Sequence, residues 1–203
     1  MVIHRVFDEV FRSRSRVAAL RTLVDTTTGR TGNEVARLSG MHPLSALKAL
    51  SALEELGIVR RQRGGRDHIF TLNRDHFLVR NVVFVLYESE KQFEEETFTF
   101  LANLLKGKVV SAIIFGSTAR QEETPVSDLD ICCIVKGEKQ KEVVRSLINE
   151  KSPGLYREFG VKVAPMFLTV REARAKRKAP LLERIAKEGR LLTGDKLEDL
   201  IGG

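Results

Sequence analysis

Two short apolar, β-branched runs between Val109 and Val135, divided by a glycine turn and a polar loop, constrain this chain more than any other stretch of it. Val109-Val110-Ser111-Ala112-Ile113-Ile114-Phe115 is too short for a buried helix and reads as a buried strand. Gly116-Ser117 breaks it, and Ser117-Thr118-Ala119-Arg120-Gln121 reads as the first turn of a helix capped by Ser117. In a strand, glycine turn and helix start of this kind, free backbone N–H groups meet phosphate oxygens. Glu122 to Val126, which contains Pro125, reads as a loop, and Ser127 to Val135 as a second strand. Alternate residues of a strand share a face, so the spacing places Asp128 and Asp130 side by side.

Two like charges on one strand face repel unless something positive lies between them. A hard divalent cation such as Mg²⁺ prefers oxygen donors and takes one or two carboxylates together with substrate phosphates. Either half of the pattern alone reads as an ordinary turn or a solvated Asp-Leu-Asp. Joined, they supply the parts of phosphoryl transfer, where catalysis is mostly positioning and neutralisation of charge.

Gly116-Ser117, ten residues, then Asp128-Leu129-Asp130-Ile131 resembles the signature of the DNA polymerase β-type nucleotidyltransferase superfamily. The stretches GSTAR and SDLD are most similar to its minimal prokaryotic members, over residues ~108 to ~195. The resemblance implies that Gly116 and Ser117 contact a nucleoside triphosphate and that Arg120 is a phosphate partner. It also implies that the catalytic pair Asp128 and Asp130 binds two Mg²⁺ ions. The implied reaction moves a nucleoside monophosphate from an NTP to a hydroxyl and releases pyrophosphate. The family places a third carboxylate, its general base, on a following strand. Here that strand is expected at Val161–Leu168, which contains no acid, and Glu158 is the nearest one upstream. The departure keeps two alternatives open: a weak or inactive nucleotide-sensing transcription regulator, or an antitoxin whose partner is a small helical toxin-like protein.

The net charge of +7 is unevenly placed. Residues 1–75 hold twelve Arg and one Lys against four Asp and four Glu, a net +5, which invites a phosphate-backbone partner. Val17, Leu20 and Val24 mark a first helix, and Thr31 and Glu34 stand at capping-box spacing before a second that ends at Gly40. His42-Pro43-Leu44 opens a third, with Ala46, Leu50 and Leu53 on one face. A Gly64-Gly65 hairpin then joins two strands. Three helices and an arginine-tipped hairpin, with LxxLEELGIVxR as the most specific stretch, resemble a winged helix-turn-helix of prokaryotic repressor type. That likeness implies double-stranded DNA binding, with His42, Ser45 and Lys48 on the groove-entering helix and Arg60, Arg61, Arg63 and Arg66 on backbone phosphates.

The expected fold is α+β. It comprises a winged helix-turn-helix at residues 1–75, a helical connector at 76–107 whose aromatics serve core packing or a homodimer contact, and a nucleotidyltransferase-like α/β domain with a small mixed sheet at 108–203. The basic run Arg171 to Lys178 reads as helical, Leu181 to Leu192 as a last amphipathic helix, and Gly194 onward as a tail. The adjacent Cys132 and Cys133 face opposite ways on a strand, which suits burial and not a disulfide. No apolar run approaches ~18 residues, so no membrane span is expected. The opening residues lack the apolar core of a signal peptide, and the expected location is the cytoplasm.

Overall fold

Capping chemistry sets most of the helix boundaries in the first part of the chain. The structure is a computed structural model that describes residues 2–65 and 67–202. It divides into two compact units, Met1–Gln92 and Phe93–Gly203.

In the first unit a short helix α1 (Val6–Val10) precedes α2 (Arg14–Val24), which starts where the Ser13 hydroxyl accepts a hydrogen bond from the Arg16 amide. After the two-residue strand β1 (Arg30–Thr31), Thr31 and Glu34 form the reciprocal capping box of α3 (Gly32–Ser39), which ends at Gly40 in the left-handed conformation. Helix α4 (Pro43–Glu55) has proline in its first turn and His42 at its N-cap. Strands β2 (Val59–Gly64) and β3 (Asp67–Leu72) form an antiparallel hairpin in register from Val59–Leu72 to Gly64–Asp67. The connecting turn therefore begins at Gly65, one residue later than expected. Strand β1 adds on the far side of β3, giving the order β1-β3-β2. Leu20, Leu23, Val35, Ala46, Leu50, Leu53, Ile58 and Phe70 fill the core between helices and sheet. A π-helical turn, Val79–Val83, leads into the long helix α5 (Phe84–Leu105).

The second unit is a small mixed sheet covered by helices on both faces. Its elements are β4 (Ser111–Ile114), α6 (Gly116–Ala119), β5 (Leu129–Val135), α7 (Glu138–Phe159), β6 (Val163–Thr169), α8 (Val170–Ala175), α9 (Pro180–Glu188), β7 (Arg190–Gly194) and α10 (Leu197–Ile201). The order is β6-β5-β4-β7, with β5 and β6 parallel and the other pairs antiparallel. The parallel pair needs a crossover, which α7 supplies. Ile114, Ile131 and Cys133 pack with Leu101 and Leu105 of α5 and Val144 and Ile148 of α7. Ile113, Cys132 and Ile134 pack on the opposite face with Ala173, Leu182, Ile185 and Leu197. Burial on both faces is why these strands read as unbroken apolar runs. The two cysteines are free, sit on opposite faces, and burial pushes both thiols up to about 12.

The C-terminal expectation needs correction. Helix α9 stops at Glu188 instead of running to Leu192, residues 190–194 form the edge strand β7 on β4, and α10 replaces part of the tail. The open edge of β4 carries unpaired backbone groups, and pairing with β7 satisfies them. Gly189 permits the close approach: a Cβ there would lie 2.6 Å from Ile113 Cγ2. The basic run is helical only through Ala175. No helix among the described residues is long and apolar enough to cross a membrane.

Candidate active site

The end of β4 is tied to the strand that carries the acids. The Phe115 N–H donates to the Asp130 carbonyl at 3.0 Å, and Gly116 follows in the left-handed conformation at φ 74°. A Cβ on Gly116 would lie 3.2 Å from Asp130 Cγ and collide with Asp130 Oδ2. Only glycine lets the turn lie against that carboxylate. The chain then makes the single turn α6, with Phe115 and not Ser117 at the N-cap. The cap lies two residues earlier than expected, and the helix starts directly from the extended backbone of Phe115. This leaves the Ser117 hydroxyl without a hydrogen bond among the described residues, while the Ser117 carbonyl accepts from the Arg120 and Glu122 amides at 3.1 and 2.9 Å.

The strand expected from Ser127 begins at Leu129, so Asp128 precedes the ladder and Asp130 lies within it. The Ser127 hydroxyl is occupied in its own loop, accepting from the Thr124 amide at 3.0 Å. Leu129 is buried between the two acids, Asp130 is half-buried and Asp128 is exposed. Among the described residues neither carboxylate has a hydrogen-bond or ion-pair partner, and no third His, Cys, Asp or Glu completes a metal-holding group with them. Asp130 lies against the glycine turn, and an uncompensated pair of hard-oxygen donors two residues apart fits a hard divalent cation by the chemistry of the donor set.

Arg120 lies at the end of this turn but is not free. Its Nε donates to Glu122 Oε2 at 2.8 Å, and its terminal nitrogen is 3.8 Å from Glu188 Oε2 of α9. The hydrogen bond that it donates to Glu122 holds the guanidinium pKa above its ordinary value. Sequence reasoning missed both glutamates. Glu188 reaches the turn only through the packing of α9, so no local spacing signals it. On β6 the residue in register with Asp130 is Ala164, and Glu158 is exposed on α7.

In the first unit His42, Ser45 and Lys48 are exposed at and along the start of α4. His42 Nδ1 accepts the Leu44 amide at 3.3 Å, so the histidine acts as a helix cap. On β2, Arg60 pairs with Asp75 at 2.8 Å and Arg61 with Glu54 at 3.2 Å. Arg63 has no ion-pair partner among the described residues, and Arg66 lies outside them. Ser45 and Lys48 share a concavity with Arg12 and Arg16, residues that sequence reasoning passed over although the run Arg12-Ser13-Arg14-Ser15-Arg16 is basic.

A family model described as nucleotidyltransferase domain matches residues 83–192, more than half of the chain. No curated protein matched. Among solved structures, a mutant of the toxin–antitoxin MntA–HpeT is similar at 18% identity and a TM-score of 0.35, over 52% of this chain and 80% of that one. TrmBL2, an archaeal chromatin protein whose structure is described as showing a novel mode of DNA binding, is similar at 18% identity and a TM-score of 0.28, over 91% of this chain and 76% of that one. The family match encloses the glycine turn, both aspartates and all but the last two residues of the four-stranded sheet, and on that ground the chain belongs to the nucleotidyltransferase domain family.

Proposed function

We propose that the chain is a Mg²⁺-dependent nucleotidyltransferase that moves a nucleoside monophosphate from an NTP to a hydroxyl acceptor, and that its N-terminal unit is a winged helix-turn-helix that binds duplex DNA. The observation that carries the first half is the Asp130 carboxylate packed on Gly116, beside a second aspartate, with no internal counter-charge for either among the described residues. Asp128 and Asp130 would hold the cation, which supplies charge neutralisation for the triphosphate when bound. The Ser117 hydroxyl, which makes no hydrogen bond among the described residues, donates to a phosphate oxygen. Arg120 exchanges its carboxylate partners for phosphate, a charge-assisted contact of the same kind. Ala164 cannot take a proton, so the acceptor hydroxyl deprotonates to water. Loss of general-base help of this kind costs on the order of 10²–10⁴ in rate. The same residue favours a second reading, a domain that binds the nucleotide as a signal without turning it over.

Support for DNA binding comes from the succession of α2, α3, α4 and the β2–β3 hairpin, the arginine-dominated +5 of residues 1–75, and Arg63, which has no ion-pair partner among the described residues.

Calorimetry with ATP, GTP, CTP and UTP in Mg²⁺ and then in EDTA tests the site. Binding is expected only with the divalent ion, and equal binding in EDTA would remove the metal role. Asp130→Asn is expected to abolish the Mg²⁺-dependent binding with little change in melting temperature. Transfer of label from an α-labelled NTP to an acceptor separates the enzyme from the sensor.

A further inference from the structure

A cavity of about 470 Å³ lies in the N-terminal unit between the start of α2 and the exposed side of α4. Arg12, Arg16 and Lys48 line it, together with Ser13, Ser15 and Ser45, and no carboxylate is among its described lining residues. Glu9 stands behind, 3.2 Å from an Arg12 nitrogen and 3.7 Å from an Arg16 nitrogen, so it holds both guanidinium groups in place. One acid against three cations leaves the cavity positive. Lys48 has no ion-pair partner among the described residues. The Ser13 hydroxyl is used in capping α2, whereas the Ser15 and Ser45 hydroxyls make no hydrogen bond among the described residues. The remaining wall is Ala49 and Ala52, which leaves room for a ligand but offers no flat apolar surface for a base to stack on.

Convergent cations and spare hydroxyl donors, with nothing to grip a base, select a phosphate group and not a whole nucleotide. We propose that this cavity clamps one backbone phosphate of duplex DNA, with Lys48 and Arg12 as charge partners and Ser15 and Ser45 as hydroxyl donors. The proposal rests on the DNA-binding reading of the N-terminal unit and changes what α4 contributes to it: Lys48 positions the protein on the backbone and does not read a base.

The test is fluorescence anisotropy of the full-length protein against duplexes of unrelated sequence at several salt concentrations, in EDTA. Lys48→Gln is the cleanest variant because it breaks no ion pair among the described residues, and Arg12→Gln accompanies it. Each is expected to weaken all duplexes alike and to flatten the log–log salt slope by about 0.9, the amount for one phosphate. Arg63→Ala is run beside them, and thermal melting confirms that each variant is folded. If the wild type and Arg63→Ala behave as a DNA-binding wing requires while Lys48→Gln and Arg12→Gln keep the full slope, the clamp is wrong and the DNA reading stands. A Lys48→Gln loss confined to one preferred sequence assigns Lys48 to base reading and overturns the clamp. Absence of duplex binding by the wild type overturns the DNA reading and the clamp with it. ATP that competes duplex away from the wild type, and not from Lys48→Gln, assigns the cavity to free nucleotide and overturns DNA as its ligand.

Discussion

Asp130 on β5 and Ala164 on β6 are register partners in the parallel pair of the C-terminal sheet. Partners in such a ladder send their side chains to the same face, about 4.8 Å apart at the strands. Ala164 thus sets a methyl group, and no carboxylate, beside Asp130 on that face.

Ala164→Asp is therefore expected to raise turnover in an NTP-transfer assay by up to about 10²–10⁴, the range of general-base help. It also adds a third negative charge beside an uncompensated pair, so the variant should melt lower than wild type in EDTA and recover in Mg²⁺. Recovery of the melting temperature without any gain in turnover would mark the domain as a sensor.

Gly116→Ala separates backbone strain from contact. Gly116 and Gly107 have nearly the same φ, 74° and 73°, but only Gly116 faces Asp130, and a Cβ on Gly107 would meet nothing within 4 Å. Both substitutions should cost the left-handed penalty, roughly 1–2 kcal/mol. Gly116→Ala alone should also push the Asp130 carboxylate aside and abolish Mg²⁺-dependent NTP binding. Calorimetry on the two variants makes the comparison. Equal loss of nucleotide binding in both would mean that the contact is unimportant.

On the hairpin, Arg60 is held by Asp75 and Arg63 is unpaired among the described residues. Arg63→Ala is expected to flatten the salt slope of duplex binding by about one unit. Asp75→Asn releases Arg60 and should tighten binding to all duplexes alike. The melting temperature should barely move, because exposed pairs of this kind contribute about 0–1 kcal/mol. Anisotropy titrations of both variants check this, and weaker binding by Asp75→Asn would count against the hairpin as a phosphate contact.

Cys132 and Cys133 are fully buried, and burial raises both thiols to about 12 from an ordinary value of 9.0. An acid whose folded pKa is raised is held neutral by the fold, so its contribution is complete below about pH 9 and is lost as pH rises toward about 12. The slope in that window is roughly 1.4 kcal/mol per pH unit for each thiol. Denaturant titrations of the wild type and of Cys132→Ala/Cys133→Ala between pH 8 and 11 should show a steeper decline in the wild type. Parallel declines would mean that other groups dominate. A thiol reagent should label native protein only at the rate of opening.

Local chemistry carries a good part of this molecule. The Thr31–Glu34 capping box, the proline start of α4 and the buried face Ala46, Leu50 and Leu53 follow from spacing alone, because caps and helical periods are settled within a few residues. The same holds for the buried runs of β4 and β5, and the opposite-facing cysteines of β5 need only the two-residue period of a strand. The tertiary structure decided the rest. Alignment of Ala164 with Asp130 depends on how the 22-residue helix α7 returns the chain to β5, a register that no local pattern encodes. Glu188 meets Arg120, and β7 closes the edge of β4, only because α9 packs under the sheet. Arg12 and Arg16 join Lys48 only because α2, with the residues just before it, packs against α4, and contacts between residues more than thirty positions apart are set by packing, which sequence spacing does not contain.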